Sequence, residues 1–158
     1  MAESAMSEDP TMTRITAAIA QSHSGDRAGA RRSFVEIWSD MGDAPDPFHV
    51  CTLAHYMADV QDEVAQELEW DVRALKAASQ VTDERAKQHH ASLSIRSFFP
   101  SLHLNVGDAY FRLGDLENAR EHLRSARSCL GDLPDSPLAD ITRKGIEGLA
   151  QRLESVGR

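Results

Sequence analysis

The stretch Asn105-Val106-Gly107-Asp108-Ala109-Tyr110-Phe111-Arg112-Leu113-Gly114-Asp115-Leu116-Glu117-Asn118-Ala119 decides the architecture. Its apolar residues recur at three- and four-residue intervals up to Gly114, where a glycine able to adopt the left-handed conformation ends the run. Asp115 then opens a second run of the same period through Ala119, Leu123 and Ala126. Two short helices joined by so few residues must run antiparallel. Gly107 and Ala119 fall where the pair is expected to cross, and small residues there let the axes approach closely.

The same grammar extends outward in both directions. Gly25-Asp26 repeats the Gly-Asp turn, with Ala30 five residues past the glycine and Phe34 and Ile37 further on, as Ala119, Leu123 and Ala126 follow Gly114. Gly42 and Gly131 also follow periodic runs where a left-handed residue would end a helix, while Asp46-Pro47 and Ser136-Pro137 pair an N-cap with a first-turn proline. Helices are expected at about 11–24, 26–41, 46–61, 63–79, 83–97, 99–113, 115–130 and 136–155, and no segment sustains the two-residue alternation of a strand. The fold class is therefore all-α. Residues 1–10 form an acidic, flexible leader with Glu3, Glu8 and Asp9, and 11–158 form one helical domain.

The run from Asn105 to Ala126 resembles a tetratricopeptide repeat at nearly every signature position of both helices. The hairpin from Ala17-Ala18 through Gly25, Ala30, Phe34 and Ile37 resembles a second copy. A third, degenerate one runs from Leu53-Ala54 through Gln61-Asp62 to Leu68, Val72 and Leu75, without the turn glycine or the crossing alanine. Asp26 to Asp62 is 36 residues, close to the roughly 34-residue period of such repeats. Asp62 to Asp115 is 53, which leaves an insertion near 80–97. The resemblance implies a right-handed tetratricopeptide-like solenoid of about three antiparallel helical hairpins plus a C-terminal capping helix. That last helix would bury Leu138, Ile141, Leu149, Leu153 and Val156.

Composition narrows the function. The 158 residues are 41% hydrophobic and 27% charged with a net charge of −8, a balance expected of a globular cytoplasmic protein and poorly suited to nucleic acid or anionic lipid. No apolar run is long enough for a membrane span and the N-terminal residues lack the pattern of a secretory signal. Cys51 and Cys129, without a CxxC pair, are expected to be reduced thiols. No HExxH, glycine-rich phosphate loop or other catalytic motif occurs, so the chain is expected to be no enzyme and to need no cofactor or metal.

On the third helix Cys51, His55 and Asp59 stack at i, i+4, i+8. The resemblance puts them on the repeat's fifth, ninth and thirteenth places, which line the concave groove of tetratricopeptide proteins. The equivalent residues are Leu104, Asp108 and Arg112 in the strongest repeat and Ile15, Ile19 and His23 in the first. Three readings of this stripe stand. Cys51 is a buried small hydrophobe and His55 hydrogen-bonds Asp59; or His55, Asp59, Asp108 and Arg112 form a ligand surface; or Cys51 and His55 make a metal or thiolate site with His49, His89, His90 or His103.

The resulting expectation is a non-catalytic adaptor or regulatory module that grips a protein or peptide partner in its groove. His55, beside a carboxylate, would titrate between about pH 6 and 8. A chaperone-tail clamp, which the resemblance would otherwise suggest, needs Lys and Asn on the first groove helix, where Ile15 and Ile19 stand; Asn105 alone matches. The alternatives are a small metal-binding or thiol-dependent enzyme or sensor centred on Cys51 and His55, and a structural homo-oligomer, with a homodimer completing a short stack. Arg27, Arg31 and Arg32 and the stripe Arg120, Arg124, Arg127 read as solvated basic faces with local ion pairs. Trp38 and Trp70 read as packing residues.

Overall fold

The structure is a computed structural model that describes residues 9–82, 84–85, 98–133 and 135–156. Its main helices are α1 (Pro10–His23), α2 (Arg27–Asp40), α3 (Pro47–Asp59), α4 (Val64–Ala78), α5 (Phe99–Arg112), α6 (Leu116–Ser128) and α7 (Pro137–Val156), with a 3-10 turn at Leu130–Asp132. No strand occurs among the described residues. The helix expected over 83–97 lies mostly outside them, with Leu93, Ile95, His89 and His90, as does the leader up to residue 8. At its start Glu84 and Arg85 are helical, and the Arg85 backbone N–H donates to Thr82 Oγ1 at 3.1 Å. No helix among the described residues is long and apolar enough to cross a membrane.

Aspartate caps start most of the helices. Asp9, Asp26, Asp46 and Asp115 each accept a hydrogen bond from a first-turn backbone N–H of α1, α2, α3 and α6, and Ser136 does the same for α7. Each such cap contributes about 1 kcal/mol relative to alanine. Gly25, Gly42 and Gly114 end α1, α2 and α5 with positive φ, the backbone state only glycine adopts without strain. Gly131 does not: it lies within the 3-10 turn.

Consecutive helices pair as α1–α2, α3–α4 and α5–α6, α4 packs on α5, and α7 lies across α5 and α6. Two apolar clusters result. The first gathers Ile15, Phe34, Ile37, Leu53, Met57 and Ala74 from α1 to α4, with Leu102 of α5 and, at its edge, Phe98 and Phe99. The second joins Ala119, Leu123 and Ala126 of α6 to Ile146, Leu149, Ala150 and Leu153 of α7, with Leu104, Tyr110 and Phe111 of α5 against them. Ile141 and Val156, expected in the buried face of the last helix, are 66% and 53% exposed; Ala139, Thr142 and Ile146 take the buried stripe instead. On α4, of Leu68, Val72 and Leu75, Leu75 packs against the first cluster and Val72 does not. Asp71, Ala74, Ala77 and Ala78 are buried there, and Val72 points to solvent.

The turn between α3 and α4 lacks a glycine, and side chains of α2 close it. Arg31 Nε donates to the Val60 carbonyl at 2.8 Å, Arg31 pairs with Asp62 at 3.1 Å, and Arg27 bonds both Asp62 and the Gln61 carbonyl. The carbonyls left over at a helix C-terminus are thus met by guanidinium groups of the preceding hairpin. Arg27 and Arg31 are therefore inter-hairpin fasteners rather than merely a solvated basic face.

The crossing of α5 and α6 is as close as Gly107 and Ala119 suggest. A Cβ at Gly107 would lie 3.1 Å from Leu149 Cδ2 and 3.3 Å from His122 Cβ, and Ala119 is fully buried. Gly107→Leu is expected to lower stability by about 1–3 kcal/mol or more through overpacking of α5, α6 and α7 together. A urea midpoint unchanged by this substitution would contradict the packing.

Candidate functional site

The structure separates the stripe into buried and reachable parts. The fifth-place residues do not line a groove: Ile15 and Cys51 sit in the first cluster, and Leu104 packs on α7, its Cδ2 lying 2.6 Å from where a Cβ of Gly145 would stand. His55 is half-buried, and Asp59, one turn on, is exposed. Asp108 and Arg112 occupy the last turns of α5, which packs on α4.

Asp59, Asp108 and Arg112 lie near Asp71 of α4, and His55 reaches α5. Asn105 Nδ2 donates to His55 Nδ1 at 3.4 Å, so the ring's hydrogen bond crosses to α5 instead of running along α3 to Asp59. Arg112 Nε donates to Asp108 Oδ2 at 2.9 Å, and its terminal nitrogen pairs with Glu67 of α4. Arg152 of α7 donates to the other oxygen of Asp108 at 2.7 Å while its guanidinium lies 5.1 Å from the Phe111 ring. Glu67, Asp108, Arg112 and Arg152 therefore form a chain of alternating charge that ties α4, α5 and α7 together, each end fixed by the next.

Asp71 stands beside this chain and outside it. It is 4% exposed, and among the described residues it forms neither a hydrogen bond nor an ion pair. Burial, reinforced by Glu67 and Asp59 and only partly countered by Arg112, pushes its carboxyl up to about 8. Among the described residues Asp59 forms no ion pair either; though exposed at its surface, it is crowded enough by its neighbours that lost hydration raises it against the pull of His55, His23 and Arg27. Asp71 thus faces a surplus of negative charge, whereas the charged groups around Asp59 are His55, His23 and Arg27. Sequence reasoning missed Glu67 and Asp71, since a carboxylate at a core register reads as part of a solvated face; their only signal is the four-residue spacing that puts both on the side of α4 facing α5.

Burial lowers His55, with Asp59 opposing it. Its titration moves below the ordinary histidine value of 6.5 and out of the upper part of the expected window. Cys51 is pushed up to about 12 by burial, the state of a small core hydrophobe and not of a thiolate nucleophile. The histidines that would have joined it lie elsewhere. His49 Nε2 meets Asp9 Oδ2 at 2.7 Å, and Arg85 bridges Asp9 at 3.1 Å and Asp46 at 2.7 Å, drawing together the caps of α1 and α3. His103 and His122 share a contact of 3.1 Å between their Nδ1 atoms, with Tyr110 stacked on His122. His89 and His90 lie outside the described residues. No group of three or more potential ligands among the described residues is placed to hold a metal.

Arg120, Arg124 and Arg127 border a shallow cleft between α6 and α7 over Leu123, Ala150 and Leu153. Arg127 reaches Glu147 at 4.0 Å. Trp38 and Trp70 meet edge to face at 5.1 Å beneath the Arg73 guanidinium, a packed corner between α2 and α4. No family model matches the chain, and comparison with curated proteins and with solved structures finds no match either.

Two pH dependences follow, of opposite sign. Asp71 holds its proton in the folded chain up to about pH 8 but releases it near 3.8 when unfolded, so its burial lowers stability progressively as pH rises through that window. Asp71→Asn is expected to leave the urea midpoint unchanged near about pH 4 and to stabilise the protein by about 1–3 kcal/mol at about pH 8. His103 and His122 are both lowered, chiefly by burial, so the folded state favours neutral rings and loses stability as pH falls through 6.5. His122→Phe should flatten this acid limb in melts taken between about pH 5 and 7.5.

Proposed function

We propose that the chain is a tetratricopeptide-like repeat protein without catalytic activity that binds a peptide or protein segment along the surface formed by α3, α4 and α5. The repeat reading is supported by two Gly-Asp turns built alike. Gly25 and Gly114 both have positive φ, Asp26 and Asp115 both cap the next helix onto the residue three further on, and Ala30 and Ala119 are both fully buried at the crossings. The pairing of successive helices is compatible with a short solenoid closed by α7.

The observation that carries the binding reading is that Asp59 of α3 and Asp108 and Arg112 of α5 lie close around Asp71 of α4, a carboxyl without an ion pair among the described residues, with His55 bonded to Asn105 alongside. A surface that served packing alone would place apolar groups at those registers or complete the ion pairing. A thiolate enzyme is a weaker reading, because Cys51 is buried and stays protonated at neutral pH.

The test is affinity capture from the source cell on immobilised full chain, with variants compared side by side. Asp59→Ala and Arg112→Ala should each remove the same captured protein, while a triple Arg120→Ala, Arg124→Ala, Arg127→Ala variant keeps it. Capture lost only in the triple variant would move the binding surface to the cleft between α6 and α7.

A further inference from the structure

We propose that the segment recognised at this surface carries a lysine or arginine side chain, whose cationic head sits between Asp59 at the rim and Asp71 at the floor. The proposal rests on the groove reading above and deepens it by naming the chemistry of the occupant.

Two independent features point to a cation. The first is the charge distribution. Glu67 and Asp108 are already engaged by Arg112 and Arg152, whereas among the described residues Asp59 and Asp71 form no ion pair, Arg27 and Arg112 acting on them only at longer range. His55, lowered by burial, brings no compensating charge near neutrality. The second is the state of Asp71. Every fully enclosed side-chain nitrogen or oxygen among the described residues has a hydrogen-bond partner. Asp71 has none, so its oxygens still touch solvent although the residue is only 4% exposed. A buried carboxyl that keeps a trace of solvent contact and bonds to no described group is an acceptor set without its donor. A lysine or arginine reaches such a floor with its aliphatic stem against the walls and its head on the carboxylate. Entry of the cation favours the ionised form of Asp71, so the interaction strengthens itself.

The alternating chain beside the site supplies the geometry. Arg112, held on both sides by Glu67 and Asp108, keeps its guanidinium on those two carboxylates and not on Asp59 or Asp71.

Acetylated hexalysine amide and acetylated hexaglutamate amide, titrated into the full chain by calorimetry at about 0.15 M salt, where the Debye length is about 8 Å, test the proposal. Hexalysine is expected to bind at one site, and Asp71→Asn or Asp59→Asn to weaken it about tenfold or more. Asp71→Asn should meanwhile melt no lower than the parent, which separates loss of a ligand group from loss of fold. Asp59→Asn, at an exposed position, guards against a folding artefact. Hexalysine binding that both variants retain marks general attraction to the acidic chain and overturns the proposal, as does no binding of hexalysine. Hexaglutamate binding that Arg112→Ala abolishes would overturn the cationic assignment while leaving the groove reading in place.

Discussion

The absence of a side chain at Gly107 lets α5 belong to two cores at once. Its first turns contribute Leu102 to the cluster of α1 to α4, and its later turns bring Leu104, Tyr110 and Phe111 against α6 and α7. Leu149 and His122 both stand where a Cβ would intrude, so α6 and α7 close down on the same point of α5. Without that approach the two clusters would be separate, each smaller and joined only through the edge of one helix. The position of Asp108 and Arg112 depends on it as well, because their partners Arg152 and Glu67 come from α7 and α4 on either side.

Charged groups do the fastening where apolar area is thin. Hairpins α1–α2 and α3–α4 are joined by Arg27 and Arg31 on the carbonyls and carboxylate of the α3–α4 turn, and by Arg85 and His49 on the caps of α1 and α3. Pairs at exposed positions contribute little each. Those of Arg85 are different, because its partners are the very aspartates that cap two helices, and the guanidinium also lies 4.9 Å from the Phe48 ring. One side chain thereby couples two helix starts to a segment more than thirty residues away in sequence.

The helical class, the hairpin pairing and most helix boundaries were legible because glycine, proline and aspartate mark ends by local chemistry, and local chemistry is what a sequence displays. The cap at Asp46, the left-handed Gly25 and Gly114, and the tight crossing at Gly107 are of this kind. The inner faces of α4 and α7 were less legible. Ile141 and Val72 fit a helical period, yet which of several overlapping stripes faces inward is set by where the neighbouring helix lies. Asp71 was invisible for the same reason in a stronger form: no periodicity argument assigns a carboxylate to the interior. Of the candidate site, the choice of His55, Asp59, Asp108 and Arg112 came from register, whereas their division into bonded and unbonded groups depends on Glu67 and Arg152, contributed by other helices.

That division bears on why the surface retains its acids. The partly exposed ion-pair chain of Glu67, Arg112, Asp108 and Arg152 is self-sufficient; pairs in contact with solvent contribute little stability each, so its presence is better explained by the orientation it imposes. Asp71 obeys a different logic. It lowers stability at neutral pH, bonds to no described group, and lies within electrostatic reach of Asp59, Glu67 and Asp108, each of which makes its charge more costly. Asparagine would fill the same space without that penalty. The cationic occupant proposed above would relieve the unfavourable state of this buried carboxyl in the free protein, beside a network whose own charges are already paired.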